Sequence, residues 1–269
     1  MNRSLFIKEL RGNLISLLIW TTVITFLITA TMSLYGIFLE NNSKILAMVS
    51  ILPEGALQFK GVSDVNDLFS VLGFYSANNV IYMLVLGSIY VTVLSSNILL
   101  KEESDKTAEY LLSWPVTRSQ VFISKLSVVF INIVVINIVT TVAGYISLEI
   151  CKKEPYSVNA FLILSFYTLL LHILFATLGL FLSVLVRKPR PITTMTIALV
   201  LILYFIYTIS NITPNLSWIG YVSPYKFINL DVLNTGYRIE LVNIAYFLGF
   251  SLLLLVSSRR IYCRKDIYL

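Results

Sequence analysis

The chain has 269 residues, of which 57% are hydrophobic and only 13% charged, with a formal net charge of +6 and a mean hydropathy of +0.84. A soluble domain carries about 25% charged residues, so water is excluded as the main solvent, and apolar residues lying in long blocks make lipid the medium. The positive balance does not point to nucleic acid, because Lys and Arg are strung between the apolar blocks and form no single patch.

In chain order, Arg3, Lys8 and Arg11 precede an apolar run over residues 14 to 39. That run is longer than the roughly 7 to 15 residues of a signal-peptide core and is predicted to stay as a first span. Residues 3 to 14 place Phe6, Ile7, Leu10 and Leu14 on one side of a helix and Lys8 and Arg11 away from it. This suits an interfacial helix over residues 1 to 13 lying among headgroups, and the same pattern also fits a frayed cytoplasmic tail. Five further apolar segments follow at 69 to 100, 126 to 148, 159 to 186, 191 to 210 and 241 to 258. All six segments approach or exceed the roughly 20 residues a spanning helix needs. None contains Asp, Glu, Lys or Arg, as expected where a mid-membrane charge costs at least about 2.5 to 3.5 kcal/mol. The predicted fold class is therefore all-α: one polytopic membrane domain over residues 1 to 269 with six transmembrane helices.

Alternating the segments between the two faces puts 14 of the 20 Lys and Arg residues on the side of the N-terminus. By the positive-inside rule that side is the cytoplasm, with both termini, residues 101 to 125 and the turn Arg187-Lys188-Pro189-Arg190-Pro191 there. Pro191 stands where a fifth helix would begin, its missing N–H harmless, so helices four and five are predicted to form an antiparallel hairpin. On the other side, residues 40 to 68 and 211 to 240 mix Pro, Gly and aromatics, which suggests structured outer caps. Cys151 and Cys263 fall on opposite faces, where no disulfide could join them.

The spans hold mainly Ser, Thr, Asn and Tyr as polar groups, and most should bond within their own helix or to a neighbour. Asn78 and Asn79 are harder to accommodate, because an amide in hydrocarbon needs several partners. Together with Tyr82, Thr25 and Tyr204 they are candidates for a substrate path, packing being the alternative. His172, the one histidine of the chain, reads as a hydrogen-bonded packing residue in preference to a relay or metal ligand.

Residues 101 to 118 form the most informative stretch. As a helix, Glu102, Asp105, Lys106 and Glu109 share one face at spacing 0, 3, 4, 7, and Thr107, Tyr110, Leu111 and Trp114 share another. Pro115 ends this helix, and Thr117 or Ser119 can cap the span that follows. Amphipathicity alone favours a solvated amphipathic loop. The residues Glu103, Thr107, Glu109-Tyr110-Leu111-Leu112, Pro115-Val116-Thr117-Arg118 and Lys125-Leu126 resemble the permeases of type-two ABC exporters. The likeness runs over nearly the whole chain, with a Leu-Pro pair in the first outer segment and Ser223-Pro224-Tyr225-Lys226-Phe227 before the sixth span. Lys106 and Ser124, where the family often has Gly, and the bulky Trp114 depart from the pattern.

The resemblance implies that residues 101 to 118 are a cytoplasmic coupling helix seated in a cleft of a separate ATPase subunit. Glu102, Asp105, Lys106, Thr107, Glu109, Tyr110, Leu111, Leu112, Trp114 and Arg118 are the expected docking residues. It also implies two permeases, a homodimer being the simplest case, with two ATP-binding cassette subunits in the plasma membrane. No Gly-x-x-x-x-Gly-Lys-Ser/Thr loop occurs, so ATP and Mg are expected on the partner, and no cofactor, metal or catalytic residue is assigned to this chain. A path of apolar, aromatic and hydroxyl groups suits a hydrophobic or amphipathic cargo, with an amphipathic peptide toxin or antimicrobial first. Export of lipid, polysaccharide, drug or sodium, a non-transporting scaffold or sensor, and an intramembrane enzyme are the alternatives.

Overall fold

Away from water a peptide backbone must satisfy its hydrogen bonds internally, and a helix does so within one segment. A computed structural model describes residues 3–49, 65–104, 116–186, 192–234 and 236–264, and no strand occurs among them. Its elements are α1 (Arg3–Ser33), α2 (Tyr35–Glu40), α3 (Asn42–Val49), a 3-10 turn at Val65–Phe69, α4 (Val71–Asn79), a π-helical segment at Val80–Gly87 and α5 (Ser88–Ser104). There follow α6 (Arg118–Cys151), α7 (Val158–Leu185), α8 (Ile192–Ile212), 3-10 segments at Pro214–Val222 and Pro224–Phe227, and α9 (Leu241–Arg264). Six helical stretches are long and apolar enough to cross a membrane, with α4, the π segment and α5 together making the second.

Local chemistry starts the helices where the sequence changes character. Ser70 Oγ accepts from Gly73 N at 3.0 Å to cap α4, and Ser157 Oγ accepts from Ala160 N at 3.2 Å to cap α7. Thr117, one of the two candidates the sequence offered with Ser119, is the N-cap of α6, and Gln120 returns the bond from the Thr117 N–H to its own Oε1 at 2.9 Å. Two orphan donors are thereby satisfied at one helix start. Many of the span hydroxyls bond back to their own helix, among them Thr92 to Ser88 O and Thr140 to Ile136 O.

The N-terminal region differs from its expected form. Residues 3 to 33 are one unbroken helix, so the segment read as an interfacial helix is the first three or so turns of the first spanning helix. Gly12 does not break it, and Asn13 Nδ2 ties back to Glu9 O at 2.8 Å. The buried face also differs. Leu5 and Glu9 are buried, whereas Ile7 and Leu14 of the expected apolar side are 36% and 41% exposed.

The second and fourth spans form the centre of the bundle. Their most apolar windows are 78% and 67% buried, against 22% to 39% for the other four. Gly179 lets α5 and α7 approach closely, since a Cβ there would stand 2.2 Å from Ser95 Oγ and 2.6 Å from the Thr92 carbonyl oxygen. The outer spans expose large apolar side chains such as Ile15, Phe26 and Leu252, a surface that suits lipid.

The segment before the sixth span folds back along α8 as a structured cap. Ser223 Oγ donates to Leu203 O at 2.7 Å and Lys226 Nζ to Asn211 Oδ1 at 3.1 Å. Tyr225 packs on Phe175 and edge-on to Tyr204. Of the earlier cap, residues 50 to 64 lie outside the described residues.

Candidate functional site

One end of the bundle gathers the start of α1, the end of α5, the start of α6 and the end of α9. The capped start of α6 puts Lys125 two turns into the helix, fully buried. Its ammonium donates to the Ile98 carbonyl of α5 and stands 3.8 Å from a Glu9 carboxylate oxygen of α1, itself 2% exposed. Arg259 of α9 donates to Ser119 Oγ of α6 at 3.0 Å. Removing two charges from water costs several kcal/mol per ion and is tolerated only with good partners. This pair therefore specifies how three helices meet.

The meeting point brackets the stretch that carries the sequence motif. Glu102 lies in the last turn of α5 and Arg118 opens α6. Asp105, Lys106, Thr107, Glu109, Tyr110, Leu111, Leu112 and Trp114 lie outside the described residues. What is placed is the frame: two helix ends fastened to each other through Lys125 and Ile98, and to the first span through Glu9. Sequence reasoning noticed Lys125 through its motif and missed Glu9. Its signal was a lone acid four residues after Leu5, hence on the same helix face, among three basic residues.

A second polar centre lies among spans two, three and four. His172 is fully buried; its Nε2 is 2.9 Å from Met83 O in the π segment and its Nδ1 2.9 Å from Asn137 Nδ2 of α6. Hydrogen bonding agrees with the packing role expected for it. Asn132 Oδ1 accepts from Tyr90 OH at 3.0 Å one turn and a half away, so the two amides of α6 join span three to span two through Asn132 and to span four through Asn137.

The residues proposed for a substrate path lie on three spans, Thr25 on the first, Asn78, Asn79 and Tyr82 on the second and Tyr204 on the fifth. Asn78 bonds to its own helix at Phe74 O, 2.8 Å, and Asn79 is buried. Tyr82 OH meets Thr31 Oγ1 at 2.8 Å, Thr25 Oγ1 is buried against the bundle, and Tyr204 belongs to the aromatic group with Tyr207 and Tyr225. None of the five lines the cavity of about 450 Å³ at the opposite end, which Tyr35, Phe69, Lys153, Glu154, Tyr156 and Tyr237 help to form. Burial raises the Tyr156 and Tyr237 hydroxyls above the ordinary tyrosine range, the bond from Tyr156 to Glu149 adding to it. No group of three or more His, Cys, Asp or Glu with metal-binding geometry occurs among the described residues.

The six-span bundle, its tied end and the motif between α5 and α6 direct the comparison with known families. The family model described as ABC-2 family transporter protein matches residues 3–267. The chain belongs to that family. The match covers all six spans and the whole intervening motif, so this ABC-2 family protein is a membrane-embedded component of an ABC transport system. A search of curated proteins finds no match.

Proposed function

We propose that this ABC-2 family protein is the permease of an ATP-driven exporter whose motor is a separate pair of ATPase subunits. Residues 101 to 118 are the docking element, and Tyr110, Leu111 and Trp114 give it apolar contact with the partner. Glu102, Asp105 and Glu109 add charge complementarity. One observation carries this reading: the family match spans the chain, and the motif sits between two helix ends that Lys125 fastens to each other. A rigid frame on both sides is what a force-transmitting loop requires, since a floppy base would absorb the displacement.

ATP and Mg bind the partner. The complex contains two copies of this chain in the plasma membrane, with the termini and the docking element in the cytoplasm, a placement the 14 basic residues on that side support. The cargo is amphipathic, an exported peptide being the first choice, because the apolar segments at 126 to 148 and 159 to 186 carry no Asp, Glu, Lys or Arg with which to bind an ion.

Co-expression with ATP-binding proteins encoded beside this chain, followed by co-purification, tests the reading. A stable complex with vanadate-sensitive ATP hydrolysis is the expected result, and Leu111→Asp should abolish co-purification while the permease still folds. A complex that forms without turning over nucleotide would instead favour a scaffold, and parent-like association of the Leu111→Asp chain would remove the docking role.

A further inference from the structure

The second span is not a regular helix. Between α4 and α5 it widens into a π-helical segment at Val80–Gly87, a geometry uncommon in runs of any length and frequent at functional sites. Two successive carbonyls of that segment accept from side chains of other elements. Met83 O takes His172 Nε2 at 2.9 Å from the fourth span, and Leu84 O takes Tyr225 OH at 3.1 Å from the cap before the sixth span. Successive residues project in different directions around a helix, so the two donors hold the wide turn from two sides.

The hydrogen bonds leave His172 a single state. The Met83 carbonyl can only accept, so Nε2 carries the proton. On the other side, Asn137 Nδ2 also bonds to the Ile133 carbonyl at 2.8 Å, which is likewise only an acceptor. That contact fixes the orientation of the amide, so its nitrogen donates to Nδ1 at 2.9 Å. The ring is therefore the neutral Nε2–H tautomer, since a second proton on Nδ1 would face an N–H. Gly87 makes room for it: a Cβ at that position would lie 2.5 Å from Nε2. His172 and Tyr225 are 0% and 2% exposed, so water does not compete for either carbonyl.

The wide turn is where the outer half of span two joins α5, and α5 leads directly into the proposed docking element. We propose that His172 and Tyr225 are positioning residues for transport, clamping the π-helical turn of the second span so that displacement of residues 101 to 118 reaches the fourth span and the cap together. This role rests on the ATPase-docking reading; the clamp's geometry does not.

The chain contains one histidine, so ¹⁵N-histidine labelling and purification through a histidine-free tag give a single imidazole to observe by NMR in nanodiscs. The expected spectrum is that of the neutral Nε2–H tautomer. An Nδ1–H tautomer or an imidazolium would overturn the clamp. In the ATPase complex, His172→Leu and Tyr225→Phe should each change the vanadate-sensitive rate by about fivefold or more, the lower end of ordinary coupling between sites. His172→Gln, whose amide can still donate to Met83 O, should restore the parent rate, whereas His172→Asn, which reaches only the Nδ1 position, should behave as His172→Leu does. Equal behaviour of the Gln and Asn chains, or parent-like rates in the Leu and Phe chains, would overturn the coupling role even with the tautomer as expected. Failure of the parent chain to bind any ATPase would overturn the docking reading and the coupling role with it, and would leave the tautomer result intact as a statement about the turn.

Discussion

Lys125 and Glu9 show how much one residue pair can decide inside an apolar bundle. The pair is 3.8 Å apart with side chains 0% and 2% exposed, and Lys125 also holds the Ile98 carbonyl. Deleting one member takes a charged partner away from a buried charge, and breaking such a pair costs about 3 to 5 kcal/mol, whereas replacing both by apolar groups is often nearly neutral. Lys125→Met should therefore lower the thermal midpoint of the purified protein more than the Lys125→Met/Glu9→Leu double change does, as followed by fluorescence in detergent. A double change as damaging as the sum of both single ones would mean that each residue acts through other contacts. Neither partner was readable as half of a pair from the chain alone. They are 116 positions apart, and a carboxylate at position 9 reads as part of a charged tail until the helix that carries it is seen to continue unbroken into the first span.

At the scale of elements, the central contact is that between α5 and α7. It depends on small groups, with Gly179 facing Thr92 and Ser95, because helices in lipid gain their attraction from close packing instead of from the hydrophobic effect. Thr92 presents a backbone carbonyl at 2.6 Å from the missing Cβ, an atom that cannot swing aside. Gly179→Ala should thus destabilise by about 1 to 3 kcal/mol, as overpacking does, and Gly179→Leu should reduce the yield of folded protein; both are read by size-exclusion chromatography and thermal unfolding. A fully tolerated Gly179→Leu would show that the two spans can separate freely. The π-helical turn belongs to the same scale. Val80–Gly87 carries no Pro and ends at a Gly, so its residues announce an ordinary apolar span, and only the donors arriving from His172 and Tyr225 distinguish it.

At the scale of the whole molecule, the two ends of the bundle differ in charge, and that difference predicts orientation. Lys153 and Arg260 are exposed residues at opposite ends. In a cysteine-free background, Lys153→Cys should react with an impermeant maleimide on intact cells and Arg260→Cys only after permeabilisation; the reverse pattern would invert the topology. The number of spans, the charge-free apolar segments that mark them and a cap at Thr117 were all legible in the sequence, because each depends on residues near one another along the chain and on the free energy of apolar groups in lipid. The tertiary structure alone decided which spans form the centre, that Glu9 meets Lys125, and that His172 and Tyr225 grip one turn. Those outcomes depend on which helix faces meet, and in lipid every face is similarly apolar, so hydrophobic periodicity no longer tells inside from outside and packing shape makes the choice.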